Sequence, residues 1–193
     1  MARALRLAER GLYTTTPNPR VGCVLVKDGR VIGEGWHERA GEAHAEVVAL
    51  KAAAASAQGS TAYISLEPCS HQGRTPPCTH ALVEAKVARV VAAIQDPNPQ
   101  VAGTGLQKLR EAGIRVEVGL MEEQARELNI GFVSRMTRGR PWMRVKIAAS
   151  MDGKTALANG VSQWIGGPDA RRDGHHWRAL LRRHDRHRYA EGR

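Results

Sequence analysis

Residues 41–78 read GEAHAEVVALKAAAASAQGSTAYISLEPCSHQGRTPPC, and how this stretch folds decides the rest. His44 to Ala57 is dominated by Ala, Val and Leu, which predicts a helix, and Gly59 stops it. Thr61 to Leu66 reads as a buried strand that delivers Glu67-Pro68-Cys69 at its carboxyl end, where α/β sheets usually place ligands. An imidazole and a carboxylate, His44 and Glu46, thus stand at a helix start. Two thiols, Cys69 and Cys78, follow the next strand.

His44, Cys69 and Cys78 are borderline-soft ligands of the kind zinc prefers, and Glu46 is a carboxylate outside the ligand set. Three protein ligands leave the fourth tetrahedral position open to water, which distinguishes a catalytic zinc site from a closed structural one. The pattern follows the zinc deaminase signature H-x-E…P-C-x-x-C, in which the glutamate moves protons. On a regular helix, His44 and Glu46 would point about 200° apart, so both reach one cavity only if His44 sits at the helix start. Pro68 restricts the backbone that presents Cys69.

Working outward, Ala2 to Leu12 spaces Leu5, Leu7, Ala8 and Leu12 as an amphipathic helix would, and Thr14 to Pro19 breaks it. Val21 to Val26 and Arg30 to Gly35 flank Asp28-Gly29, a hairpin signal that makes them adjacent antiparallel strands. Cys23 falls within the first and is read as a buried strand residue. Beyond the cysteines, Thr79 to Ala85, Arg89 to Ile94, Leu106 to Ala112 and Arg115 to Val118 alternate helix and strand. That alternation implies parallel pairing with helices on both faces. Asp96-Pro97-Asn98-Pro99 reads as a turn, and Met121 to Met136 as a helix interrupted at Gly131. Trp142 to Ala149 alternates like a strand and opens what looks like a second domain, with only about 50 residues for it.

A chain of 193 residues accommodates one α/β domain and a remainder. No apolar stretch approaches the ~20 residues of a membrane span, and the start, MARALRLAERG, lacks the features of a signal peptide. The cytoplasm is therefore expected, with no membrane partner. Three cysteines, two of them in the metal pattern, do not suggest a disulfide framework. The net charge is +10, of which Gly166 to the end contributes +4 through eight Arg against four acidic residues, leaving +6 before it. With aromatics at 4%, a base-stacking platform is poorly provided for and nucleic acid is not the expected partner.

The loop between the cysteines, SHQGRTPP, is longer than the two residues of the short signature. It carries His71 and Arg74 beside the metal pattern, where an arginine could take a phosphate through charge-assisted bonds. Its other reading is a solvated loop stiffened by Pro76-Pro77. Asn18, between prolines in TPNPRVG, offers a donor and an acceptor to a heterocycle edge but serves equally as a turn residue. His37, just past the second strand, is similarly open.

TPNPRVGCVLV, GEAHAEVVAL, SLEPCSHQGRTPPCTHAL, DPNPQVAGTGL, LNIGFVSRMTRGRPW and KIAASMDGKTA together resemble the bifunctional riboflavin-biosynthesis deaminase/reductase family over residues 1–179. The resemblance implies an α/β fold: a three-layer α/β/α cytidine-deaminase-like domain with a five-stranded mixed sheet, then a fragment of a dihydrofolate-reductase-like domain. It implies hydrolytic deamination of 2,5-diamino-6-ribosylamino-4(3H)-pyrimidinone 5′-phosphate, a small phosphorylated pyrimidine. His44, Cys69 and Cys78 would bind Zn(2+), Glu46 would be the proton donor, and Asn18, His37, His71 and Arg74 would hold substrate. In the reductase part, Ala148 and Trp164 match positions that bind NADPH, and Ser162 and Arg178 positions that bind its substrate.

The expected organisation is a deaminase domain over 1–140, a reductase fragment over 141–179 and a basic tail over 180–193. The tail, LLRRHDRHRYAEGR after Ala179, lacks an apolar pattern, so it is expected to be loosely packed and reductase activity to be absent. NADPH would matter only with a complete reductase domain. The strand at Trp142 to Ala149, deprived of its sheet, invites pairing with another chain and hence a homo-oligomer. The competing functions are a nucleoside or tRNA-base zinc deaminase, which the long cysteine loop disfavours, and a non-catalytic zinc module. Against the module, a structural site would supply a fourth ligand.

Overall fold

A computed structural model describes residues 1–72, 76–99, 101–162 and 165–181. It divides into two compact units, Met1–Trp142 and Met143 onward.

The first unit is built on a five-stranded sheet. Its strands are β1 (Gly22–Lys27), β2 (Arg30–Trp36), β3 (Thr61–Ile64), β4 (Arg89–Ala92) and β5 (Arg115–Val118), in the order β2-β1-β3-β4-β5. β1 pairs antiparallel with β2 and β3, and β3, β4 and β5 run parallel. The sheet is therefore mixed. The hairpin forms as the sequence predicts: Asp28 and Gly29 take φ of 49° and 72°, the left-handed pair that matches the twist of a two-residue turn.

Helices α1 (Ala2–Glu9), α2 (Ala45–Ala53), α3 (Cys78–Glu84), α4 (Thr104–Glu111), α5 (Glu122–Leu128) and α6 (Ile130–Arg138) belong to this unit. Alternate residues of β1 face opposite layers, as strand geometry requires. Cys23 and Leu25 pack with Ala45, Ala49 and Ala53 of α2 and Leu82 of α3, whereas Val24 packs with Ala4 and Leu7 of α1. Leu5, Ala93, Ile94 and Ala125 close a third cluster beneath α5. Cys23 is fully buried, and its thiol is pushed well above the ordinary range by that burial.

What brings α2 onto the sheet is the absence of side chains. A Cβ on Gly33 would lie 2.3 Å from the Ala49 carbonyl oxygen, and one on Gly35 would lie 2.4 Å from that of Ala45. Backbone therefore rests on backbone, and Ala45 rests on the end of β2.

Several expectations need correction. α1 ends at Glu9 rather than Leu12, because residues 10–15 fold into turns in which Thr15 Oγ1 donates to the Gly11 carbonyl. The long helix after Met121 breaks at Asn129, not at Gly131, which lies inside α6. Asn129 is buried, and its side chain pairs with a backbone far away: Arg20 N–H donates to Oδ1 at 2.8 Å and Nδ2 donates to the Arg20 carbonyl at 2.9 Å. That pairing sets the break. Arg20 in turn donates from its guanidinium to the carbonyls of Leu128 and Leu12.

The strand expected over Trp142 to Ala149 does not form. A strand needs a neighbour for its N–H and C=O groups, and this segment has none among the described residues, so Met143, Val145 and Ile147 are exposed. Among its described residues the second unit holds instead two turns, closed by Ser150 N–H to Lys154 carbonyl and Leu157 N–H to Val161 carbonyl bonds, and a helix α7 (Pro168–Leu181). Arg144 stacks over the Trp177 ring at 4.6 Å. Of the expected tail, residues 182–193 lie outside the described residues, as do Arg74 and Trp164. No described helix is long and apolar enough to cross a membrane.

Candidate active site

Three helix or strand ends meet at one place. His44 is the residue before α2, with an extended backbone (φ −76°, ψ 159°), and Glu46 lies in the helix's first turn. This resolves the angular problem of two residues one apart, since His44 is not yet helical. Cys69 follows the end of β3, and Cys78 is the first residue of α3.

The candidate ligand atoms of His44, Cys69 and Cys78 all lie within 4.8 Å of one another. His44 Nδ1 is 3.1 Å from Cys78 Sγ and 3.4 Å from Cys69 Sγ. Zinc held tetrahedrally at ordinary Zn–N and Zn–S lengths requires N···S separations of about 3.6 Å. The two N···S separations therefore fit the ion with a few tenths of an ångström of adjustment.

Electrostatics favour thiolate at Cys69. Its Sγ accepts the N–H of Cys78 at 3.3 Å, at the N-terminus of α3, and the Thr79 N–H donates to the Cys69 carbonyl. Hydrogen bonding from Cys78, against a burial penalty, and then from His44 holds the Cys69 thiol down at about 4. The same pairing, with burial, raises Cys78. His44 is raised, chiefly by its bond to Cys69. Glu46 is 3% exposed, and desolvation pushes its carboxyl up to about 7 despite a hydrogen bond with the Cys78 side chain. A carboxyl with that value can both accept and donate a proton near neutrality.

His37 stands edge-on to His44, with ring centroids 5.3 Å apart. Its Nδ1 lies 3.1 Å from the Ala43 carbonyl, which can only accept, so that nitrogen carries the proton. Nε2 must then accept from Asn18 Nδ2 at 3.1 Å. Burial lowers the His37 pKa, in keeping with a neutral ring. The consequence falls on Asn18, whose Oδ1 is the end of the amide turned away from His37. Sequence reading left Asn18 and His37 open; the fold brings both to the metal pattern.

His71 is exposed on the cysteine loop. In the second unit, Ala148, Ser162 and Arg178 are each exposed as well, Arg178 on α7. Asp96 and Asn98 form the expected turn, the Asn98 N–H donating to Asp96 Oδ1 at 2.8 Å. Sequence reading missed Glu67. Its carboxylate is 4% exposed and accepts four backbone N–H groups, from Asp96, Gly103, Gly105 and Leu106. The only signal was an acidic residue ending an apolar strand.

A mixed five-stranded sheet between helices, with one histidine, two cysteines and a buried glutamate gathered at its end, defines a cytidine-deaminase-like fold with a zinc-type donor set. Residues 1–94 match the family described as cytidine and deoxycytidylate deaminase zinc-binding region, and residues 141–182 match the RibD C-terminal domain. Over most of its length the chain is similar to the riboflavin biosynthesis protein RibD. It is 63% identical to that protein from Escherichia coli K12 over 173 residues, covering 90% of this chain and 47% of the relative. A structure of Acinetobacter baumannii RibD superposes with a TM-score of 0.88 at 57% identity, over 93% of this chain and 50% of that one. A diaminohydroxyphosphoribosylaminopyrimidine deaminase/5-amino-6-(5-phosphoribosylamino)uracil reductase from Thermotoga maritima superposes at 0.87 with 42% identity, over 92% and 51%. The chain spans about half the length of the relatives it matches.

Proposed function

We propose that this chain catalyses the hydrolytic deamination of a phosphorylated diaminopyrimidinone ribotide, the deaminase step of riboflavin biosynthesis. The observation that carries the reading is the convergence of His44, Cys69 and Cys78 within 4.8 Å beside a buried Glu46. The activity in the name of the Thermotoga relative and the RibD names of the others support the choice of substrate.

His44, Cys69 and Cys78 would hold zinc, which when bound lowers the pKa of a water toward ~7 and so supplies a nucleophile at neutral pH. Glu46 accepts the proton that water gives up. The water oxygen bonds to the amine-bearing ring carbon and Glu46 delivers this proton to the exocyclic nitrogen. The bond from that carbon to the exocyclic nitrogen breaks and ammonia leaves, while the remaining hydroxyl proton passes to the neighbouring ring nitrogen, leaving a carbonyl and a ring N–H. Asn18, its Nδ2 committed to His37, turns Oδ1 toward a ring N–H, and His37 fixes that orientation. His71 and Arg74 would take the phosphate through charge-assisted hydrogen bonds.

Residues 1–140 are read as the deaminase domain, 141–179 as a reductase fragment and 180–193 as a basic tail, in a cytoplasmic protein. Ala148, Ser162 and Arg178 are each exposed, and we read this chain alone as not carrying out the NADPH-dependent step. The test is ammonia release from the ribotide phosphate, with cytidine and an adenosine-containing RNA alongside, before and after chelation. Chelator-sensitive release from the ribotide alone is expected. Release that survives chelation, or is faster from cytidine, would overturn the reading. NADPH oxidation with the deaminated ribotide would overturn its second half.

A further inference from the structure

We propose that Glu67 is a positioning residue for Cys69: its carboxylate clamps the first turn of α4, together with Asp96 and Gly103, to the segment that carries Cys69 and so determines where the first thiolate stands. The inference rests on the metal-site reading above.

α4 begins without a side-chain cap of its own. Its N-cap is Gly103, at φ 80°, and its first N–H groups need acceptors from elsewhere. Glu67 Oε1 accepts from Gly105 at 2.8 Å and Leu106 at 3.3 Å, the positions a capping side chain would serve. Oε2 accepts from Gly103 at 2.9 Å and Asp96 at 3.0 Å. One carboxylate, two residues before Cys69, thus joins the helix and the loop before it. A negative charge at a helix N-terminus is also favoured by the dipole.

The helix in turn grips the residues on both sides of Cys69. A Cβ on Gly105 would stand 2.0 Å from the Pro68 carbonyl oxygen, so only glycine permits that approach. Ser70 Oγ and Thr104 Oγ1 are 2.7 Å apart, and Lys108 Nζ donates to the Ser70 carbonyl at 2.8 Å. Glu67, Pro68 and Ser70 are therefore all held by α4, and Cys69 lies between them. Outer partners of this kind typically change metal affinity by about ten- to a hundred-fold.

Glu67→Gln keeps the shape but turns an amide toward one pair of backbone donors. Zinc affinity, measured by chelator competition, and the thiolate-to-metal absorption of the cobalt-substituted protein are the readouts. We expect about a ten- to hundred-fold loss of affinity and an altered cobalt spectrum. Leu109→Ala, which empties a fully buried position on the same helix, serves as the stability control and should leave both readouts within about twofold. Should Glu67→Gln not fold, Glu67→Asp, charged but too short to reach both donor pairs, takes its place. Unchanged affinity and spectrum in the Glu67 variant, or an equal loss in Leu109→Ala, would overturn the proposal. Wild-type protein without a thiolate–cobalt band would instead overturn the metal centre, a separate failure.

Discussion

Replacing Gly35 by Ala places a methyl carbon 2.4 Å from the Ala45 carbonyl oxygen, 2.6 Å from the Ala49 nitrogen and 2.7 Å from Val48 Cβ. Ordinary contact begins at 3.4 Å, so α2 must retreat from β2 by about 1 Å. Two of the three obstacles are backbone atoms, which cannot rotate away. Overpacking of this kind costs about 1–3 kcal/mol, which a domain of ordinary stability survives. The site is more sensitive than the fold, because Ala45 lies between His44 and Glu46 and both move with it. A 1 Å misplacement of reacting groups costs about a hundred-fold in rate. Gly35→Ala should therefore fold, lose zinc affinity and lose about two orders of magnitude in chelator-sensitive ammonia release. Zinc content, circular dichroism and turnover measured on one preparation give the answer. Folded Gly35→Ala with full zinc and turnover within about threefold of wild type would refute the claim that the β2–α2 backbone contact sets the site.

Gly131→Ala is the converse, since nothing lies within 4 Å of its would-be Cβ and the position is inside α6; it should stabilise by about 0.5–1 kcal/mol in urea unfolding. Glu46→Gln should retain zinc and lose turnover, with near-normal ammonia release as the contrary result. The same variant carries a pH signature in metal-free protein. Folding raises Glu46 from 4.5 to about 7, so ionisation opposes the fold: there is no penalty below about 4.5, and about 3 kcal/mol is lost as pH rises through about 7. Wild type should weaken relative to Glu46→Gln between pH 5 and 8, and parallel stability curves would contradict the desolvated carboxyl. Arg74→Ala should raise KM for the phosphorylated ribotide while leaving KM for its dephosphorylated form unchanged; equal effects on both would remove the phosphate role.

The metal donors are legible in the sequence, because zinc draws on few residue types and His44, Cys69 and Cys78 follow predictable helix and strand boundaries. The hairpin is legible at Asp28-Gly29 for a similar reason, a local conformation that few residue pairs adopt. The strand pattern at Trp142 to Ala149 misleads because alternation states what a segment would do beside a partner. Without one among the described residues, the pattern has nothing to act on. The helix break moves from Gly131 to Asn129 because a side-chain amide pairing with Arg20, 109 residues away, outweighs local propensity.

What the sequence determined by itself is the chemistry: which atoms can bind zinc, which carboxyl stands beside them, and the order of strands and helices that carries them. These depend on residue type and short-range periodicity. The tertiary structure alone decided the proton state and orientation at the site. Burial raises the Glu46 carboxyl, the Ala43 carbonyl selects the His37 tautomer and through it the Asn18 amide, and four N–H groups fix the Glu67 carboxylate. The Asn18 and Glu67 contacts join atoms 19 to 39 residues apart in the chain at about 3 Å, the range at which hydrogen bonds act, and the burial of Glu46 comes from packing that short-range periodicity does not specify.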